Sequence, residues 1–194
     1  MTLKDIGRSI YYAFKTKHSA ELGYWRKCFQ NENRVFENAH YKRLMLAIAQ
    51  EKDDAFLHGK IVADFGCGPR GSLSWISSAA MKIGIDVLIP QYLRYFHTAM
   101  KTHAMVYLTS TETHIPLPDD SVDIVFVINA LDHVSDLACT CGELSRIIKP
   151  GGELIGSFNL CYHPTKAEPQ SLTEQLLKKY LLPAFEIKSC RISG

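Results

Sequence analysis

Two spacings of apolar residues alternate along the chain, and the texture changes near residue 59. Residues 1–58 contain no proline and read as helical, with aromatic clusters at Ile10-Tyr11-Tyr12-Ala13-Phe14 and Gly23-Tyr24-Trp25-Arg26. The clearest helix spans about Tyr41 to Glu51, where Leu44 and Ile48, with Met45 and Ala47 nearby, form one apolar face. Beyond Gly59, short apolar runs alternate with amphipathic stretches. Strands are predicted at Ile61–Ala63, Ile83–Ile85, Ala104–Leu108, Val122–Ile128, Glu153–Phe158 and Phe185–Ile192. Helices are predicted at Leu73–Ala80, Pro90–Thr98, from a Ser135 cap through Leu137, Cys141, Leu144 and Ile148, and at Leu172–Leu182. The run Val122–Ile128 is β-branched and unbroken, as a strand covered on both faces should be. Lys149-Pro150-Gly151-Gly152 ends the preceding helix sharply.

Strands alternating with helices predict an α/β fold. The expected architecture is a three-layer, doubly wound, mostly parallel sheet with helices on both faces. Residues 1–58 form an N-terminal helical cap or lid, and residues 59–194 the core. A length of 194 residues fits one structural domain overall, large enough to hold a core without disulfides or metal. The six cysteines are scattered and form no CxxC, which argues against a disulfide framework. A net charge of +2 disfavours a dedicated nucleic-acid partner. No apolar run is long enough to span a membrane, and the first residues do not read as a secretory leader. The expected location is cytoplasmic; oligomeric state is not legible.

Gly66-Cys67-Gly68-Pro69-Arg70-Gly71 follows a strand and precedes a predicted helix, matching G-x-G-x-x-G. Asp86, at the end of the second strand, stands where a ribose-binding acid belongs. Both features suit a dinucleotide such as NAD, except for Asp64. This carboxylate lies two residues before the first glycine, where a pyrophosphate would seek the positive end of a helix. A ligand with an ammonium and a sulfonium, and no phosphate, suits it better. S-adenosylmethionine is such a ligand.

The following blocks carry a family resemblance. Val62-Ala63-Asp64-Phe65-Gly66-Cys67-Gly68 resembles motif I of the class I S-adenosylmethionine-dependent methyltransferases, and Lys82-Ile83-Gly84-Ile85-Asp86-Val87 their second motif. The segments from Ile115 to Val125, Asn129 to Val134 and Glu143 to Gly152 resemble the next three blocks, in family order, covering about residues 60 to 160. The pattern most resembles the small-molecule "type 11" branch, which includes quinone-biosynthesis enzymes. Two departures stand out. The third glycine, Gly71, falls later than the motif places it, behind Pro69 and Arg70. The family sheet usually closes with an antiparallel strand, yet only Ser193 and Gly194 follow Ile192. Either the chain belongs to a longer product or that last hairpin is absent.

The resemblance implies a methyl transfer by direct displacement to an oxygen, nitrogen or carbon of a small-molecule acceptor, leaving S-adenosylhomocysteine. It places Asp64, Gly66, Cys67, Gly68 and Gly71 around the methionine end of the cofactor. Asp86 falls on the ribose hydroxyls, Val87 and Leu88 against adenine, Glu112 and Thr113 at its amino edge, and Asn129 near the sulfonium. Asp132 and His133 face the acceptor, with His133 a general base or a residue that merely packs under the next helix; His163 stands in the same position. Tyr11, Tyr12, Tyr24, Trp25 and Tyr41 form either an aromatic lid over the cofactor or ordinary helix packing. No histidine pair has metal-ligand spacing, so no metal is expected. Two other readings remain: a cofactor-binding subunit or scaffold without catalysis, and an NAD-dependent oxidoreductase.

Overall fold

The computed structural model describes residues 3–111, 113–160, 163–165 and 168–192, with the backbone alone for residues 3–16. Two helices come first, α1 (Leu3–Asn31) and α2 (Ala39–Ala49), then a 3-10 turn at Asp54–Leu57. The core alternates β1 (Ile61–Phe65), β2 (Met81–Asp86), α3 (Ile89–Met100), β3 (Val106–Thr109), β4 (Val122–Ile128), α4 (Leu137–Ile147), β5 (Ile148–Ser157) and α5 (Glu174–Leu181). The five strands pair in the order β3-β2-β1-β4-β5, every pairing parallel. The order reverses beside β1, so the carboxyl ends of β1 and β4 flank a crevice where such sheets take ligands.

Strand parity sorts the core into layers. Ala63, Ile83, Ile85, Val125 and Val127 pack on one face against Leu137, Cys141, Leu144 and Ile147 of α4, with α5 beyond. Val62, Ile124 and Phe126 point to the other face and meet Met45 of α2, Leu57, Leu73 and Ile76. There too, α3 presents Ile89, Tyr92, Phe96 and Met100 to Leu22, Trp25 and Phe29 of α1.

Three local expectations are corrected. The predicted helix over Leu73–Ala80 does not form; residues 72–75 make turns and 76–80 run irregularly. The segment is rich in serine, whose hydroxyl competes with the helical ladder. Its backbone is held from outside instead: Asp54 Oδ2 accepts from the amides of Ser77 (2.9 Å) and Ser78 (3.2 Å), and Ser74 Oγ accepts from Asn38 Nδ2 at 3.0 Å. With no helix in this crossover, α2 covers that part of the sheet. The cap of α4 is Asp136, not Ser135: its carboxylate accepts from the Cys139 amide at 2.9 Å. The strand over Phe185–Ile192 is also absent. Phe185 packs into the α4–α5 layer and Lys188 reaches Glu153 of β5 at 2.7 Å, so this segment docks through side chains without a backbone ladder.

The Asp136 cap makes a measurable distinction. Asp136→Ala is expected to cost about 1 kcal/mol, whereas Ser135→Ala should stay within about 0.5 kcal/mol. Urea unfolding of the two variants checks this; equal losses would reassign the cap.

Candidate functional site

The site begins at the turn after β1. Gly66 and Gly68 both adopt left-handed backbone, at φ +74° and +57°. A Cβ on Gly66 would stand 2.5 Å from the Ala130 Cβ, and one on Gly68 would stand 2.9 Å from the Trp25 ring. Glycine is therefore required twice, for conformation and for close approach. Gly71 is left-handed as well, but its Cβ position points into the His103 ring. Gly71 packs behind the turn.

Of the two residues that delay Gly71, Arg70 has a visible purpose. Arg70 pairs with Glu32, donates to the Glu37 carbonyl at 2.5 Å, and lies 5.6 and 5.5 Å from the ring centroids of Trp25 and Phe36. It fastens the end of α1 onto the glycine turn. At 29 residues α1 is about 44 Å long, against about 19 Å for five strands side by side, so it can cross the entire sheet edge. Further along, Tyr92 donates to Glu21 at 3.0 Å, and the Lys17 ammonium donates to the His133 carbonyl. Those contacts tie α1 to α3 on one side and to the segment after β4 on the other.

Beneath α1 lies a cavity of ≈ 440 Å³, a size typical of small-molecule sites. Its floor is the carboxyl edge of the sheet, with Asp64, Phe65, Gly66, Cys67, Asp86, Val87, Asn129 and Ala130. Lys17, His18, Glu21, Tyr24 and Trp25 of α1 form the roof, while His40, Tyr41 and Leu44 of α2 close one wall. Asn129 sits at φ +47°, a conformation asparagine tolerates better than most residues, and its amide donates to Ser157 at 2.9 Å.

Two carboxylates dominate the floor. Asp64 is 3% exposed and Asp86 6%. Burial pushes each up to about 7, in Asp64 against the hydrogen bond from Ser72 and with repulsion from Asp86 added. In Asp86 the nearby Glu21 adds to the rise, while hydrogen bonds oppose it. Asp86 Oδ2 accepts from the Gly68 amide at 3.0 Å and Oδ1 from the Leu88 amide at 2.8 Å. A carboxylate can accept about four such bonds, which leaves capacity for a ligand's hydroxyls. Two buried polar atoms in the wall, Trp25 Nε1 and Ser110 Oγ, have no hydrogen-bond partner. Such atoms are normally satisfied.

The expected residues divide accordingly. Asp64, Gly66, Cys67, Asp86, Val87, Asn129 and His133 line the cavity, as do Tyr24, Trp25 and Tyr41. Leu88 is buried against α3 and α1. Thr113 and His163 are exposed and, like Gly71, are not among the lining residues. Glu112 and the side chains of Tyr11 and Tyr12 lie outside the described residues. Asp132 is buried just below His133, and its Oδ1 lacks a hydrogen-bond partner. Lys17, His18, Glu21, His40 and Ser110 were missed, whereas Thr111 belongs to the stretch 111–113 expected at the adenine edge. For α1 a signal existed: Lys17, His18, Glu21, Tyr24 and Trp25 follow the i, i+1, i+4, i+7, i+8 stripe of one helix face. Ser110 and Thr111 directly follow β3, at the ligand edge of the sheet.

Comparison with known proteins agrees with this fold. Residues 63–156 match the family model described as "Methyltransferase domain". Over 148 residues the chain is 28% identical to a demethylmenaquinone methyltransferase of Tropheryma whipplei, covering 72% of this chain and 59% of the relative. Over 100 residues it is 37% identical to a malonyl-[acyl-carrier protein] O-methyltransferase of Yersinia pestis, covering 51% of this chain and 36% of the relative. The chain thus spans less than two thirds of the length of either relative. A crystal structure of an S-adenosylmethionine-dependent methyltransferase from Aquifex aeolicus shares the fold, with a TM-score of 0.55, 24% identity and coverage of 77% and 88% of the two chains.

Proposed function

We propose that the chain is a class I, Rossmann-like methyltransferase, as its match to the methyltransferase-domain family and its relatives support, and that it methylates a small-molecule acceptor with S-adenosylmethionine. One observation carries the choice of cofactor: three carboxylates, Asp64, Asp86 and Glu21, line a single cavity. A pyrophosphate would be repelled there, whereas an ammonium, a sulfonium and ribose hydroxyls are all welcome. The unpartnered Trp25 Nε1 and Ser110 Oγ fit the same ligand, offering polar contacts that the protein leaves unused.

In this reading Asp64 holds the cofactor's ammonium and the spare lone pairs of Asp86 hold the ribose, with Val87 against adenine. Tyr24, Trp25 and Tyr41 present aromatic faces to positive charge. S-adenosylmethionine supplies a methyl group on a sulfonium, already an excellent leaving group. The protein's share is then alignment in a dry pocket, a contribution of roughly 7–11 kcal/mol. The α1 roof excludes water. His133, on the wall beside Asn129, can take a proton from an acceptor that must lose one, a gain of roughly 10²–10⁴-fold. Proteins similar to this chain are a demethylmenaquinone methyltransferase and a malonyl-[acyl-carrier protein] O-methyltransferase, so the acceptor has to be found by assay. Among the described residues no helix is long and apolar enough to cross a membrane.

Calorimetry tests the proposal. S-adenosylhomocysteine is expected to bind and NAD to give no heat of binding. NAD binding alone would restore the oxidoreductase reading. Binding of S-adenosylhomocysteine with no transfer of labelled methyl to any of a broad acceptor panel would favour a cofactor-binding scaffold.

A further inference from the structure

Asp132, His133 and Glu168 bring one donor atom each to a common point, all within 4.8 Å of one another. His133 Nε2 lies 3.9 Å from Asp132 Oδ1 and 3.9 Å from Glu168 Oε1. The first two residues sit in the 3-10 turn after β4, and Glu168 arrives from the loop beyond β5. Two residues beyond Glu168 the backbone is anchored: Gln170 donates from its amide to the Asp132 carbonyl at 3.1 Å, and from Nε2 to the carbonyls of Val134 (3.0 Å) and Ser135 (3.1 Å). The Asp132 side chain is only 9% exposed, and its Oδ1, the atom aimed at His133, has no hydrogen-bond partner. A buried acceptor left so is costly.

We propose that Asp132, His133 and Glu168 form a binding site for a divalent transition-metal cation at the wall of the cavity. One imidazole nitrogen with two carboxylate oxygens is a borderline donor set, suited to Zn²⁺, Co²⁺ or Mn²⁺ over Ca²⁺ or Mg²⁺, which prefer oxygen alone. Metal bonds of about 2.0–2.2 Å require these donors to draw together slightly, and Glu168, 42% exposed at its side chain, is free to rotate inward. Three protein ligands leave coordination positions open, and His133 lies on the cavity wall, so an open position borders the acceptor's space; with a cation bound, the His133 imidazole is a ligand and no longer serves as a base. Sequence spacing hid the site because the third ligand comes from a distant segment.

The test uses the full chain without an affinity tag, stripped with a chelator and titrated with Co²⁺. Visible d–d bands should appear, saturate and be displaced by Zn²⁺. Glu168→Gln and Asp132→Asn should each weaken Co²⁺ binding at least about tenfold, since loss of even an outer-sphere partner commonly costs 10–100-fold. His114→Gln, which alters a separate histidine–carboxylate pair, should not. Absence of bands in the parent chain, or unchanged affinity in Glu168→Gln, overturns the proposal. Glu168→Gln decides alone if Asp132→Asn does not fold. S-adenosylhomocysteine affinity, measured on the same samples, reports separately on the methyltransferase reading.

Discussion

Asp86→Ala is expected to weaken S-adenosylhomocysteine binding about 100-fold, equivalent to about 2.7 kcal/mol. Hydrogen bonds to a charged group contribute about 1.5–3 kcal/mol, and the ribose offers two hydroxyls to this carboxylate. The same change strips the Gly68 and Leu88 amides of their acceptor, so the turn that shapes the floor also loses its anchor. Folding stability should move less than affinity. Orphaning the amides destabilises, but removing a carboxylate that burial has pushed up to about 7 relieves a desolvation cost. Asp86→Asn keeps one acceptor oxygen and should fall between, near tenfold. Calorimetry for affinity and thermal melting for stability separate the two effects. Affinity within threefold of the parent for Asp86→Ala would remove Asp86 from the binding site.

Much of this arrangement could be read from the chain alone, for reasons visible in particular residues. Val122–Ile128 is an almost unbroken β-branched and aromatic run, so both its strand character and its cover on both faces were legible. The glycine turn was legible because left-handed backbone and close approach leave few alternatives at Gly66 and Gly68. Segment 72–80 misled because Leu73, Ile76 and Ala80 mimic helical spacing, while its true anchor, Asp54, is remote in sequence. Ser135 and Asp136 are both good caps by type; only the backbone decides which carboxylate or hydroxyl meets the Cys139 amide. The cavity roof was half legible: Tyr24 and Trp25 stood out as aromatics, whereas Lys17, His18 and Glu21 share their stripe as polar residues, which a solvated helix face carries equally well. Arg70 looked like a defect in a motif, and its partners, Glu32 and Trp25, lie on a different element. Glu168 could not be assigned at all, because it comes from a distant segment that Gln170 anchors two residues further on.

The affinity for S-adenosylhomocysteine should rise as pH rises through about 7, ten- to hundredfold between roughly pH 5.5 and 8. Below about pH 7, each carboxylate that must give up its proton to meet the ligand weakens binding by up to about tenfold per pH unit. Asp64 and Asp86 both ionise near 7, chiefly because they are buried, whereas in the unfolded chain they would ionise near about 3.9. A raised carboxylate favours the folded state fully below about pH 4, and that contribution is lost as pH climbs through about 7. The ligand-free chain should therefore lose stability across the window in which it gains affinity. Ligand resolves the conflict, because its ammonium stabilises the ionised pair and expels a proton on binding. Glu143 acts in the opposite sense: Arg146 holds it down at about 2, so its contribution is present above its ordinary range and lost only in strong acid. Calorimetry below pH 7 in buffers of different ionisation enthalpy should register proton release. Asp64→Asn should flatten the profile, because it removes one of the two carboxylates that burial has pushed up to about 7. An affinity indifferent to pH, with stability rising from pH 5 to 8, would mean that the buried pair does not meet a cation.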